Sequence, residues 1–204
     1  MNDAVPNESR KARFLSVAPI LADAIKLDQL NVAAICDAAQ AAERDFVEEF
    51  CTLEGYVAEL HKKFLDSLLA RMIRDTGDMK PGIERILRAS LAQLDACIEQ
   101  RALRAWFADA RRKMPRIAED IHQRNRGTAM MISIELAELG CPEPMIIARF
   151  YSTMMLEAAQ MEADAGREVP EVRQALRHFL LTWVLSRRSI SPRTPAELPQ
   201  PVSG

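Results

Sequence analysis

Glycine is scarce in this sequence, and the first part of the chain has none. The chain has 204 residues and seven glycines, and none of these precedes Gly55. Loops that bind phosphate groups cluster several glycines within a few residues, so the scattered glycines argue against a nucleotide-binding loop. Tight turns before Gly55 must form without the residue that adopts positive φ most easily.

Cysteine and histidine are also few, and their spacing indicates no metal site. None of the four cysteines forms a CxxC pair or has a histidine at ligand spacing. We therefore expect small buried thiols in a reducing cytoplasm, and neither a metal nor a cofactor. HExxH and DxDxDG motifs are absent, no catalytic constellation is evident, and we expect a protein that is not an enzyme. The cysteines are Cys36, Cys51, Cys97 and Cys141, and the histidines are His61, His122 and His178, of which we expect His122 at the surface.

The sequence lacks an apolar run of the roughly 20 residues that a membrane helix needs. Its first residues, MNDAVPNESRKAR, have no apolar core and do not resemble a signal peptide. We therefore expect a cytoplasmic protein without a membrane partner. The net charge of -2 excludes a surface that binds nucleic acid all round. It leaves room for one positive face.

Helical periodicity is the main signal that the sequence does carry. Apolar residues recur at spacings of three and four, and proline or glycine separates the periodic segments, which predicts an all-α fold of about nine helices. Pro19 lies inside the first helix, which should bend or restart there. We divide the chain into a small three-helix unit over 1–54, a larger helical domain over 55–188, and a proline-rich extended tail over 189–204.

The stretch from Asn31 to Tyr56 predicts two short helices with a tight connection, followed by the start of a third. It resembles the DNA-binding end of the TetR family of transcriptional regulators. The matching positions are Val32, Ile35, Ala38, Ala39, Phe46, Phe50, Thr52 and Glu54. The departures are Gln40 for the turn glycine, Ala42 for serine, Val47 for tyrosine, Glu48 for histidine and Leu53 for lysine.

The resemblance implies a helix-turn-helix domain followed by a helical domain for effector binding and dimerisation. The implied function is a transcriptional regulator, a repressor whose operator binding is controlled by a small apolar or aromatic effector. The residues implied to contact DNA are Arg10, Lys11, Arg13, Asn31, Ala42, Glu43, Arg44, Asp45 and Glu48.

The charge of the predicted recognition helix favours a second function. From Asn31 to Phe50 the only basic residue is Arg44, and several carboxylates oppose it. Phosphate contacts dominate DNA affinity, so an acidic helix works against binding. The alternative is a ligand- or protein-binding homodimer of the same fold that has lost DNA binding. The opposing carboxylates are Asp37, Glu43, Asp45, Glu48 and Glu49.

The resemblance implies that several methionines and aromatic residues in the second half of the chain enclose the effector pocket, and methionine is flexible enough to line an adaptable apolar cavity. Plain core filling explains their helical spacing equally well. The candidate ligand-binding residues are Trp106, Phe107, Met130, Met131, Phe150, Tyr151 and Met154. The last two helices are apolar on more than one face, which indicates a partner subunit. The candidate dimerisation residues are Phe150, Met154, Leu176, Phe179, Leu180 and Trp183.

Overall fold

The computed structural model describes residues 9–185, and within that range it contains α-helices, one 3-10 turn and no strand. The all-α prediction is confirmed. The helices are α1 (Arg10–Ser16), α2 (Ala18–Ala24), α3 (Val32–Ala39), α4 (Glu43–Phe50), α5 (Leu53–Thr76), α6 (Ile83–Glu99), α7 (Arg101–Lys113), α8 (Pro115–Glu138), α9 (Pro144–Ala165) and α10 (Pro170–Leu185), with a 3-10 turn at Leu27–Gln29. The predicted end of the helical domain at residue 188 and the predicted tail over 189–204 lie outside the described residues.

The first predicted helix is broken where proline predicts a break. α1 ends at Ser16 and α2 begins at Ala18, with Pro19 in the first turn of α2. The missing N–H of proline is harmless in a first helical turn, because that group has no helical acceptor there. The restart expected at Pro19 is therefore confirmed, and α1 and α2 are two halves of one predicted helix.

Four buried aromatic rings form the core of the head, by which we mean residues 10–56. Phe46 lies 5.6 Å from Phe14 and 5.1 Å from Phe50, between ring centroids. Tyr56 lies 5.1 Å from Phe50 and donates its hydroxyl to the Phe14 carbonyl at 3.0 Å. Burial raises the pKa of Tyr56, which keeps the phenol a donor. The cluster joins α1, α4 and the start of α5.

Both turns of the head form at positive φ without glycine. Gln40 has φ 49° and ψ 50°, the left-handed conformation. The amide of Ala41 donates to Cys36 at 3.0 Å and that of Gln40 donates to Asp37 at 3.2 Å, which completes a Schellman motif. After α4, Cys51 has φ 60° and ψ -45°.

The connection from α4 to α5 explains the first glycine of the chain. The amide of Thr52 donates to the Phe50 carbonyl at 2.6 Å, so the chain makes a γ-turn centred on Cys51. That turn brings the Phe50 carbonyl against the first turn of α5. A Cβ atom at Gly55 would collide with the Phe50 carbonyl oxygen. Gly55 is therefore required by close approach, since its own φ is not positive.

A buried ion pair ties together three helices of the body, by which we mean residues 57–185. The Glu162 side chain in α9 is fully buried, and it accepts hydrogen bonds from Arg173 of α10 at 2.8 and 3.0 Å. The Val169 amide adds a third at 3.0 Å. Arg173 also reaches Asp95 of α6 at 2.8 Å. These carboxylates raise the pKa of Arg173 and hold the guanidinium charged.

Trp106 of α7 joins the body to the head. Its side chain is 2% exposed, and its indole N–H donates to the Ile25 carbonyl at the end of α2, at 3.0 Å. α5 provides the covalent connection, and it begins at Leu53, so the domain boundary drawn at residue 54 falls in its first turn. The 24 residues of α5 span about 36 Å.

The expectation of buried thiols holds for half of the cysteines and is wrong for the others. Cys36 and Cys97 are buried, Cys51 is exposed, and Cys141 is half-buried. Cys51 is exposed because it occupies the strained turn that leads into α5, where no core surrounds it. His122 is exposed, as predicted. Within residues 9–185, no helix is both long enough and apolar enough to cross a membrane.

We predict that Gln40→Gly stabilises the protein by about 0.5–1 kcal/mol. A residue with a Cβ atom in the left-handed conformation destabilises the folded state by about 1–2 kcal/mol, and Gln40→Gly removes this strain. Part of the gain in stability is lost, because glycine has more conformational freedom in the unfolded chain. Urea denaturation measures the difference. Gln40→Ala is the matched control and should give no comparable gain, because alanine keeps the Cβ. A loss of stability in Gln40→Gly would contradict the strain at this turn.

We predict that Trp106→Phe destabilises the protein by about 1–3 kcal/mol, because it removes buried volume and leaves the Ile25 carbonyl without its donor. Trp183→Phe is the matched control, since Trp183 is 38% exposed. Thermal or urea unfolding measures both variants. Equal effects of the two substitutions would show that the Trp106 hydrogen bond contributes nothing.

Candidate nucleic-acid interface and ligand cavity

The α3–α4 unit is a helix-turn-helix whose positions follow from local interactions. Asn31 begins α3, and its side-chain oxygen accepts from the Ala34 amide at 2.9 Å. Ile35 and Phe46 are fully buried and set the packing of the two helices. Ala42 precedes α4 and gives its first turn no side-chain cap. The turn at Gln40 separates the two helices as a helix-turn-helix requires.

The outer surface of α4 is acidic, as its sequence predicts. Glu43 and Glu48 are exposed, and Asp45 is partly exposed. Arg44 is exposed and lies at 3.8 Å from Glu48, one helical turn away. Carboxylates in the first turn of a helix interact favourably with its N-terminal dipole, which accounts for Glu43 and Asp45 without any DNA.

Arg10 also neutralises this surface, so the expectation that Arg44 alone opposes the carboxylates is wrong. The Arg10 guanidinium lies 2.7 Å from Glu48 and 3.3 Å from Asp45. The residues are separated by more than 30 positions in the chain, and the fold of the head brings α1 across α4. Two arginines therefore share two carboxylates on the surface that was predicted to contact DNA.

Lys11 and Arg13, the other two cations at the start of α1, differ in their ion pairing. The Lys11 ammonium lies 2.7 Å from Glu59 of α5, and this hydrogen bond lowers the pKa of Glu59. Arg13 is exposed and makes no ion pair with the described residues. Of the cations at the start of α1, Arg13 is thus the one that the described part of the chain leaves free for a phosphate.

The body contains a cavity of about 290 Å³ between α5, α6, α8 and α9. Most of the exposed surface of its lining is apolar, although eight of the 17 lining residues are polar or charged. The lining residues are Leu69, Met72, Ile73, Thr76, Arg85, Ile86, Ala89, Ser90, Gln93, Asn125, Thr128, Met131, Ile132, Glu135, Ser152, Met155 and Leu156.

Of the seven candidate ligand-binding residues, Met131 lines this cavity and the other six do not. Trp106 lies at the junction with the head, and the Phe107 ring packs 5.3 Å from Phe64. Met130 and Phe150 are 55% and 62% exposed.

Two further candidates, Tyr151 and Met154, lie in α9 but are not in the cavity lining. Tyr151 is fully buried, and its hydroxyl shares a 2.8 Å hydrogen bond with Ser90 of the lining. Burial raises the pKa of Tyr151 to about 12, so the phenol stays neutral. Met154 is half-buried.

Sequence reasoning missed most of the lining because it searched for aromatic residues and methionines. Four lining residues come from the C-terminal half of α5, among them the aliphatic Leu69 and Ile73. Gln93, a polar residue among the apolar positions of α6, was the available signal, since pockets combine an apolar lining with a few polar groups.

The candidate dimerisation residues fall into two groups. Leu176 and Leu180 are buried within the subunit and pack α10 onto the body. Phe179 is half-buried and stacks on Tyr151 at 6.3 Å.

The second group of candidate dimerisation residues faces outward. Phe150 is 62% exposed and Trp183 is 38% exposed, so these two are available to a partner. Ile146 and Met161 on α9 are also exposed.

His61 of α5 is a buried titratable group of the body. His61 is 5% exposed and lies 3.5 Å from Asp120, and burial lowers its pKa. Its ring packs 4.9 Å from Phe107. No group of three histidine, cysteine or acidic residues in the described range is placed to hold a metal ion.

Comparison with known proteins relates the fold to that of transcriptional regulators. No protein-family model and no curated protein matches the chain. A transcriptional regulator from Rhodococcus sp. Rha1 is similar in structure, with a TM-score of 0.65, 18% identity, and coverage of 85% of this chain and 93% of that one.

Two further solved structures share the fold. A protein from Rhodococcus sp. that is assigned to the TetR family of transcriptional regulators has a TM-score of 0.70 at 12% identity, covering 87% of this chain and 98% of that one. Salmonella enterica GusR has a TM-score of 0.67 at 15% identity, covering 91% of this chain and 100% of that one. At these identities the similarity establishes a shared fold, the all-α fold of TetR-like transcriptional regulators, along nearly the whole described chain.

Proposed function

We propose that the chain is a TetR-like transcriptional regulator that acts as a homodimeric repressor and releases operator DNA when a small apolar ligand binds. The observation that carries this proposal is α5, a single helix shared by the head and the cavity. Tyr56 near its start packs in the aromatic cluster, and Leu69 and Ile73 near its end line the cavity. A ligand that shifts α5 would therefore move the head as well.

The proposed DNA surface combines the start of α1 with the start and outer face of α4. Arg13 offers its positive charge to phosphates directly, whereas Arg10, Lys11 and Arg44 must first leave their carboxylate partners. Fewer free cations release fewer counterions, so we expect weak binding with a shallow salt dependence. The full set of proposed contacts is Arg10, Lys11, Arg13, Asn31, Ala42, Glu43, Arg44, Asp45 and Glu48.

The alternative is a ligand- or protein-binding homodimer that has lost DNA binding. It is favoured by the ion pairs from Arg10 to Asp45 and Glu48, which neutralise the recognition surface within the subunit. A gel shift against the protein's own upstream region, at low and moderate salt, separates the two functions. A shift at low salt that weakens with added salt supports the regulator, and no shift at either salt supports the alternative.

The proposed dimer face lies on α9 and α10. Phe150 and Trp183 present large apolar surface at the outside of these helices, and an exposed apolar patch of this kind marks an interaction site. In a two-fold dimer the same patch of each subunit would meet, so both residues would be buried in each of the two subunits.

We predict that Glu48→Gln strengthens DNA binding roughly three- to tenfold and steepens its salt dependence, because Arg10 and Arg44 lose a shared partner and can contact phosphates. Glu43→Gln is the matched control: it removes the same charge from α4, but Glu43 makes no ion pair with the described residues. Fluorescence anisotropy over a salt series measures both. An equal gain in the two variants would assign the effect to net charge alone, and tight wild-type binding that Glu48→Gln abolishes would show that the carboxylate reads a base.

We predict that Phe150→Glu combined with Trp183→Glu converts the homodimer into folded monomers, since both side chains are exposed and their replacement leaves the subunit core intact. Ile20→Glu is the matched control, because Ile20 is 71% exposed but lies on α2 in the head. Light scattering after size exclusion gives the mass of each variant. A wild-type protein that is already monomeric would contradict the proposed dimer.

A further inference from the structure

The charged residues of the cavity lining restrict the charge of a ligand. The lining contains one cation and one carboxylate, Arg85 of α6 and Glu135 of α8, and these two groups pair with each other. The Gly82 amide also donates to Glu135 at 3.0 Å. A charged ligand would either break this pair or stay unpaired in a mostly apolar space, and both are costly. The lining therefore favours an uncharged ligand.

Ser152 supplies the cavity with a hydroxyl that lacks a hydrogen-bond partner. Its Oγ atom is buried and makes no hydrogen bond with the described residues. Hydroxyls inside helices usually donate to a carbonyl three or four residues earlier. The helical residues Ser67, Thr76, Ser90, Thr128, Ser133 and Thr153 all do so.

The exception at Ser152 has a consequence for the ligand. Ser152 lies in the cavity lining with its Oγ atom beneath the lining surface, so a rotation about χ1 would turn the hydroxyl toward a bound molecule. Leaving a buried polar group unsatisfied costs free energy, and a ligand that bonds to it recovers that cost. Gln93 and Asn125 add polar groups from α6 and α8 to the same lining. A ligand with one hydrogen-bonding group would therefore be oriented by α9.

The size of the cavity sets the size of the ligand. Its volume of about 290 Å³ is roughly twice that of a ~150 Å³ apolar cavity that binds benzene. Two fused aromatic rings, or an aliphatic molecule of similar bulk, would fill it. The apolar side chains of Leu69, Met72 and Leu156 in the lining suit an apolar ligand of this size.

We propose that this cavity binds an uncharged, mainly apolar molecule of two-ring size that carries one hydroxyl or carbonyl group, and that this group hydrogen-bonds to Ser152. The role of this molecule as the effector that releases DNA rests on the proposed function. The binding itself is a property of the body and needs no DNA.

The test compares three probes of the same size on the full-length protein: naphthalene, 1-naphthol and 1-naphthoate. Binding is measured by the change in probe fluorescence, without DNA. We expect 1-naphthol to bind about three- to tenfold more tightly than naphthalene, the value of one hydrogen bond, and 1-naphthoate to bind at least tenfold more weakly than 1-naphthol. In Ser152→Ala the preference for 1-naphthol over naphthalene should disappear, while naphthalene binding stays unchanged.

Ser67→Ala is the matched control, because Ser67 is a helical hydroxyl outside the lining that bonds to the Phe64 carbonyl. It should retain the preference for 1-naphthol. The proposal is overturned if none of the probes binds, if 1-naphthoate binds most tightly, or if Ser152→Ala retains the preference. Because no DNA is present, a protein that fails the gel shift can still pass this test. If 1-naphthol binds as expected but leaves a gel shift unchanged, only the effector role fails.

Discussion

The packing of four aromatic rings makes the head possible, and the position of α4 depends on it. Five ring pairs among Phe14, Phe46, Phe50 and Tyr56 lie within 5.8 Å between centroids. Such pairs contribute about 0.5–1.5 kcal/mol each beyond the burial of their area. Non-glycine residues at positive φ cost about 1–2 kcal/mol each, so the cluster outweighs the strain at Gln40 and Cys51. The head can therefore keep its turns without glycine.

The ion pairs on α4 have a different role from the ring cluster, because they contribute little to stability. Arg10 and Glu48 are 46% and 55% exposed, and exposed pairs of this kind are worth about 0–1 kcal/mol. A polyanion can therefore compete for Arg10 at small cost. Whether α4 binds DNA becomes a competition between carboxylates of the subunit and phosphates of the DNA. The buried pair of Glu162 and Arg173 is not open to such competition, since it is enclosed by the body.

Local features of the chain were predictable from sequence, and long-range ones were not. The position of Pro19 predicted the break between α1 and α2, because such a break depends on neighbours in sequence. The pairing of Arg10 with Glu48 spans 38 positions and depends on how α1 crosses α4. The cavity lining likewise combines half-helices from four segments, and no periodicity within one segment identifies which face lines a cavity. Trp106 was predicted as a pocket residue, but the structure places its indole at the joint between head and body.

The position of Trp106 gives the protein an internal optical probe. The chain has two tryptophans, Trp106 and Trp183. Trp106 is buried with a fixed hydrogen bond, and Trp183 is 38% exposed at the outside of α10. A buried indole emits at shorter wavelength and is poorly reached by a quencher in water, whereas an exposed indole emits at longer wavelength and is quenched. The fluorescence spectrum thus separates two parts of the molecule, since its blue component reports on the contact between α2 and α7 and its red component on the surface of α10.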